Sequence, residues 1–479
     1  MFVGREHELS ELEQLYERDG FQMVVIYGRR RVGKTTLVSR FCESRPHLSF
    51  TARQQSDALN LRDFSQRVYE YFGLPASTGA FATWEDAFTF IARGAGSQRL
   101  VVAFDEFPYA AARCESLMST LQVVIDHDLS RTNVFLILTG SNQGFMREKV
   151  LGQGDEAPGP GEENPLFGRR TAQINLMPFG YRDAARMLPG VAPKDQVTYY
   201  ACLGGTPYYL SMVDASLGVE RNLERLFFIK EGLLYEEPLM LMRQELREPS
   251  TYLSILGAIA SGANRPQPIA DRIGEERALV GKYLATLRSM GLVTKAAPYG
   301  ENAARSRKGI YEISDPCFSF WFSFVEPNTE AVELDVGELA AREILGSQVL
   351  ATHVGHWFER ICLEWVVHQA KAGELPFVPI RFGRWWGSDP GARERADVDV
   401  VAGNPARKAL LVGECKWRGE FDVSEAAEKL VARAPLVAEA NEVWYALFSR
   451  QVLAGVTAER LRADAHWRLV DAEELYAGE

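Results

Sequence analysis

Gly28-x-x-x-x-Gly33-Lys34-Thr35 follows directly on the apolar run Met23-Val-Val-Ile-Tyr27. Glycines at those two positions let the backbone wrap a phosphate with its N–H groups turned inward. Lys34 can then reach the β- and γ-phosphates, and the Thr35 hydroxyl can ligate Mg²⁺. Arg31, Val32 and Thr36 complete the expected phosphate loop. A second apolar run, Leu100 to Phe104, ends in Asp105-Glu106, placing one carboxylate to hold the Mg²⁺ shell and a second to polarise an attacking water. A third run, Val134 to Leu138, ends in Thr139-Gly-Ser141-Asn142, whose polar groups read either as γ-phosphate sensors or as simple turn residues. Arg169 and Arg170 are candidates for γ-phosphate contact, or else structural arginines.

A second constellation lies near the C-terminus. Arg395-Ala-Asp397-Val-Asp399 and Gly413-Glu414-Cys-Lys416 read as parts of two strands joined through Gly403-Asn404-Pro405. Alternation of period two puts Asp397 with Asp399, and Glu414 with Lys416, on single faces. Asp399 and Glu414 could hold Mg²⁺ while Lys416 activates water for attack on a phosphodiester, with Glu359 from a preceding amphipathic helix completing the set. The alternative is a buried Lys–Asp/Glu salt-bridge cluster.

The elements that must position these residues follow from periodicity. Strand–helix alternation from about residue 20 to 145 implies a parallel α/β sheet. The acidic Gly/Pro stretch between Leu151 and Asn164 suggests a surface loop, and helical patterns from Tyr181 to Arg247 suggest a lid over the nucleotide. Three short helices and a hairpin from Pro249 to Ile313 have the order of a winged helix. Lys282, Arg288, Arg305, Arg307 and Lys308 are available there for DNA phosphates, although such modules also serve as packing units. The expected organisation is α/β and multidomain: ATPase core 1–178, helical lid 179–247, winged helix 248–315, and a restriction-endonuclease-like domain 316–479.

At 479 residues and 46% hydrophobic content the chain can build several cores, and its net charge of −11 restricts nucleic-acid binding to local patches. No run is long enough to span a bilayer, the N-terminus does not read as a signal peptide, and the six scattered cysteines suggest reduced thiols, so a cytoplasmic protein is expected.

Phe2-Val-Gly-Arg5-Glu6, Tyr27-Gly-Arg-Arg-Arg-Val-Gly-Lys-Thr35, Phe104-Asp-Glu-Phe-Pro-Tyr109, Leu138-Thr-Gly-Ser141, Pro165-Leu-Phe-Gly-Arg169 and Gly204-Gly-Thr-Pro-Tyr208 together resemble the archaeal-type ATPases of the AAA+/STAND group. The resemblance implies an ATPase followed by a winged helix and a domain of unknown function that looks like a PD-(D/E)xK nuclease. It assigns Lys34 and Thr35 to phosphate and Mg²⁺, Asp105 and Glu106 to the Walker B pair, and Ser141 to the sensor position. Arg5 falls near the adenine by the same resemblance, and Pro207 in a Gly-x-Pro turn beside the nucleotide. Asp397 stands where the family more often has Glu. The implied protein binds and hydrolyses ATP with Mg²⁺, acts on DNA, and is able to oligomerise. The alternative is an ATP-gated DNA-binding or signalling adaptor whose nuclease-like domain is inactive.

Overall fold

Met23, Val25 and Tyr27 pack to one side of a strand and Val24 and Ile26 to the other, and all five are buried. A strand apolar on both faces belongs inside a parallel sheet covered by helices, and the computed structural model has that arrangement. It describes residues 2–152, 164–246 and 248–477; the acidic Gly/Pro stretch falls mostly on 153–163, outside the described residues. The chain forms two compact units, Met1–Pro178 and Phe179–Glu479.

In the first unit β1 (Gln22–Tyr27), β2 (His47–Thr51), β3 (Leu100–Asp105), β4 (Val134–Gly140) and β5 (Ala172–Asn175) form a five-stranded sheet in the order β2-β3-β4-β1-β5. Every pairing is parallel, with Val24 opposite both Ile137 and Ala172. One face packs against helices Asp57–Tyr71, Trp84–Ala95 and Leu117–His127 through Phe64, Phe88 and Leu121; the other packs against Glu6–Tyr16 and Lys34–Cys42 through Leu12 and Phe41. Each such buried side chain contributes about 1.5–3 kcal/mol relative to exposure. The order matters because β4 sits between β1 and β3, so the ends of all three emerge side by side.

The second unit begins with helices Tyr181–Arg186, Pro193–Leu203, Pro207–Leu210, Val219–Phe227 and Glu237–Glu245. The sequence suggests a separate lid here, yet these helices share a core with the C-terminal part. His353 Nε2 lies 2.9 Å from the Ala201 carbonyl, Trp321 Nε1 donates to the Tyr235 carbonyl, and the Tyr181 hydroxyl donates to the Leu475 carbonyl. The cause is the aromatic run Phe318 to Phe324. It folds as helix and packs, for example, Phe320 against Phe227 with centroids 4.9 Å apart.

Helices Ser250–Ala260, Pro266–Ile273 and Arg277–Ser289 then lead into the antiparallel hairpin β6 (Val293–Ala296) and β7 (Ile310–Ile313). After the helix Gln348–Ala372 come β8 (Arg381–Asp389), β9 (Glu394–Asn404), β10 (Ala409–Lys416), β11 (Glu442–Ser449) and β12 (Trp467–Asp471). β8-β9-β10 are antiparallel; β10-β11-β12 are parallel, with the helix Val423–Val437 crossing between β10 and β11. Val398 faces that crossover helix, so Asp399, next in the alternation, turns to the other face, toward Gln348–Ala372. No helix among the described residues is long and apolar enough to cross a membrane.

Gly205 shows why the turn before Pro207 requires glycine: a Cβ there would stand 1.8 Å from the Phe179 carbonyl oxygen, a backbone atom that already receives no room to move because the Phe179 N–H donates to Gly205 O at 2.7 Å. Gly205→Ala is expected to lower the unfolding free energy of the second unit by at least about 2 kcal/mol. Chemical denaturation checks this, and a change within a few tenths would show that the turn can relax.

Candidate functional site

The phosphate loop begins where β1 ends. A Cβ on Gly28 would meet the Leu176 carbonyl oxygen at 2.2 Å, so only glycine lets the loop leave β1 beside the segment after β5. Gly33 has φ +94° and opens the helix Lys34–Cys42, so the first-turn N–H groups of that helix face the loop. Arg31 takes a left-handed φ of +68°, and Val32 is fully buried as the loop's anchor. Buried Arg5 donates to the Val32 carbonyl at 3.0 Å and the Met177 carbonyl at 2.7 Å, binding the start of the chain to the loop. Lys34 Nζ lies 2.9 Å from the carbonyl oxygens of both Gly28 and Arg29. Thr36 is exposed at the first turn of the helix.

The strand order brings Asp105 to Thr35. The Thr35 hydroxyl donates to Asp105 Oδ2 at 3.0 Å, while Asp105 Oδ1 accepts the Thr139 hydroxyl and the Glu106 N–H. One carboxylate therefore receives donors from the helix after the phosphate loop, from the residue after β3 and from β4. Glu106 has a left-handed φ of +51°, a conformation a non-glycine residue keeps only when its surroundings enforce it. Its Oε2 accepts the Ser141 N–H at 3.1 Å and the Ser141 hydroxyl at 2.8 Å. Ser141 thus touches Glu106 directly. Asn142 is a turn residue, its Oδ1 capping the Phe145 N–H.

Arg169 stands apart from this cluster. It precedes β5, whose Ala172 pairs with Val24 near the start of β1, whereas the phosphate loop follows the end of β1. Asp126, at the C-terminal end of the helix Leu117–His127, takes its guanidinium in two hydrogen bonds of 2.8 and 2.6 Å. Pro207 opens the helix Pro207–Leu210 in the second unit.

In the second unit Asp399 accepts the Cys415 N–H at 2.8 Å, and Glu414 is ion-paired to Lys416. Burial, reinforced by Glu359 and Glu414, raises the Asp399 carboxyl well above its usual range against the pull of the Cys415 N–H and Lys416. Burial likewise pushes Glu359 up to about 7, with Arg384 opposing and Asp397 adding to the rise. Asp397 itself is exposed and bonded to Arg433 on the crossover helix. The four residues neighbour one another, yet among the described residues no group of three or more His, Cys, Asp or Glu is arranged to hold a metal ion. In this conformation Glu414 is turned to Lys416 and Asp399 to the Cys415 N–H.

Sequence reasoning missed a neighbouring group. Glu312 of β7 is ion-paired with Arg360 and Arg384. A lone acid in an otherwise uncharged strand, Ile-Tyr-Glu-Ile, was the available signal.

A raised carboxyl pKa favours the protonated, folded form, so its contribution is complete below about 4.5 and is lost as pH rises through about 7. Glu359→Gln removes that loss. The variant is expected to be more stable than the native chain at pH 8, by on the order of 2 kcal/mol after discounting for partial exposure, with no difference at pH 4. Urea unfolding at the two pH values checks this; a gap that does not change with pH contradicts it.

Residues 2–213 match a family described as an ATPase domain predominantly from Archaea, and residues 321–429 match a family of archaeal and bacterial proteins of unknown function. An uncharacterized protein of Methanocaldococcus jannaschii is 28% identical over 457 residues, covering 94% of this chain and 96% of its own length. An uncharacterized ATP-binding protein of the same organism is 44% identical over 45 residues, 9% of this chain and 76% of that protein. Among solved structures, the Walker-type ATPase of Pyrococcus abyssi superposes with a TM-score of 0.50 at 21% identity, covering 67% of this chain and 96% of that one.

Proposed function

We propose that this chain, whose residues 2–213 match an ATPase-domain family predominantly from Archaea and residues 321–429 a family of archaeal and bacterial proteins of unknown function, is an ATP-hydrolysing molecular switch that acts on DNA. The observation that carries the hydrolytic part is the junction of Thr35, Asp105, Glu106 and Ser141 at the ends of adjacent strands. Thr35 and Asp105 are hydrogen-bonded oxygens beside the phosphate loop, and they are the pair that would hold Mg²⁺, which would neutralise charge on the β- and γ-phosphates. Lys34 exchanges the Gly28 and Arg29 carbonyls for phosphate oxygens. Glu106 leaves Ser141 to polarise the attacking water, so the Ser141 contact holds the resting state.

The DNA arm of the proposal rests on the three helices and hairpin of residues 250–313, read as a winged helix, and on the strands carrying Asp399, Glu414 and Lys416, read as a nuclease-like domain. One observation favours the adaptor as the second reading: Lys416 is engaged by Glu414 in an ion pair. Oligomerisation through a nucleotide-contacting arginine has no candidate in Arg169, which Asp126 already engages.

Two measurements test these readings. Lys34→Ala is expected to abolish ATP binding, while Glu106→Gln keeps binding and lowers turnover by about 10²–10⁴-fold. Turnover at the native rate in Glu106→Gln would remove Glu106 from the chemistry. Incubating supercoiled and linear DNA with Mg²⁺ and ATP should give products that disappear in Glu414→Ala if the domain cleaves. DNA retained in a gel shift without products in any variant selects the adaptor.

A further inference from the structure

Glu312 is the only charged residue of β7, and its carboxylate is gripped from two other elements. Arg384 of β8 donates to Oε1, and Arg360 of the helix Gln348–Ala372 donates to Oε2 at 3.2 Å. All three side chains are largely buried, at 16%, 29% and 25% exposure for Glu312, Arg360 and Arg384. Each guanidinium is backed by an indole: Arg360 lies 4.5 Å from the Trp357 ring centroid and Arg384 5.0 Å from that of Trp386. Two arginines converging on the two oxygens of one anion, each supported by an aromatic face, form a ready seat for a tetrahedral oxyanion.

The neighbourhood of this seat suggests what it holds. Arg384 and Arg360 act electrostatically on Glu359, which in turn acts on Asp399. An anion between the arginines would therefore sit beside the carboxylate–lysine cluster, where a polyanionic chain would have to pass to be bound or cut. The hairpin is also not sealed against the long helix, because a cavity of about 620 Å³ borders Glu312, Tyr311 and His356 between β7 and that helix. Withdrawing Glu312 breaks two ion pairs without breaching a filled core.

We propose that Arg360 and Arg384 form a binding site for a backbone phosphate of nucleic acid, and that Glu312 occupies it in this state as a carboxylate stand-in for that phosphate. The inference rests on the nucleic-acid reading above and adds both the site and its occupant. Without Glu312 both guanidiniums lose the carboxylate that bonds them directly, so a phosphate gains what that carboxylate gives up. If the triad were only a fastening for the hairpin, its removal would lower stability and leave nucleic-acid affinity unchanged.

The experiment is fluorescence anisotropy of a short labelled DNA duplex with the full chain over a range of salt concentrations, alongside thermal melts. Glu312→Gln keeps an acceptor for the arginines while removing the charge, and Glu312→Ala is the second gain variant should the first not fold. Either is expected to bind about tenfold tighter than the native chain, with the slope of log K against log salt steeper by about one. Glu312→Gln/Arg384→Ala is expected to return to native affinity. Native-like affinity in both single variants, or a gain that survives Arg384→Ala, overturns the site while leaving DNA binding by the chain intact. No binding by any variant removes the nucleic-acid reading and the site with it.

Discussion

The first unit is organised around the carboxylate of Asp105. It takes the Thr35 hydroxyl on one oxygen and the Thr139 hydroxyl with the Glu106 N–H on the other, so groups far apart in the chain meet at one acceptor. Charge-assisted hydrogen bonds of this kind are stronger than neutral ones, and removing the acceptor would leave several donors unsatisfied at once. Only the order β3-β4-β1 makes the meeting possible, and that order depends on strands apolar on both faces. The burial of β1, β3 and β4 on both faces is thus what sets the position of a hydroxyl relative to a carboxylate.

Much of this could be read from local sequence. The glycines of the phosphate loop, the carboxylates closing β3 and the polar end of β4 each sit at the end of an apolar run, and strand ends are where side chains leave the core. Gly28 and Gly33 were also readable, because the motif demands backbone geometries that other residues resist. The two-residue alternation of β9 and β10 correctly paired Glu414 with Lys416 on one face. What alternation could not supply was that the two side chains reach each other as an ion pair.

What local sequence does not display is charges whose partners lie far along the chain. Arg169 was read either as a γ-phosphate contact or as a structural arginine, and the Asp126 that binds it lies 43 residues earlier. The Glu312 triad draws one residue each from a hairpin, a helix and an edge strand, so no single segment displays it. The shared core of the helices after Phe179 with the C-terminal part was hidden for a related reason. Helical periodicity gives the apolar face of a helix but not the surface it meets, and the aromatic run from Phe318 to Phe324 supplied that surface within the second unit.

The helix Gln348–Ala372 is a single 25-residue rod, about 37 Å long. His353 meets the Ala201 carbonyl near one end, Arg360 meets the hairpin at the middle, and Trp365 lies against Phe448 of β11 a little further on. An α-helix resists bending and stretching over such a span far better than the loops beside it. A small rotation of the helices around Ala201 would therefore be felt together at the hairpin and at the sheet, as a tilt is felt along a beam. The second unit is built so that its parts share a mechanical axis even though its chemistry is scattered.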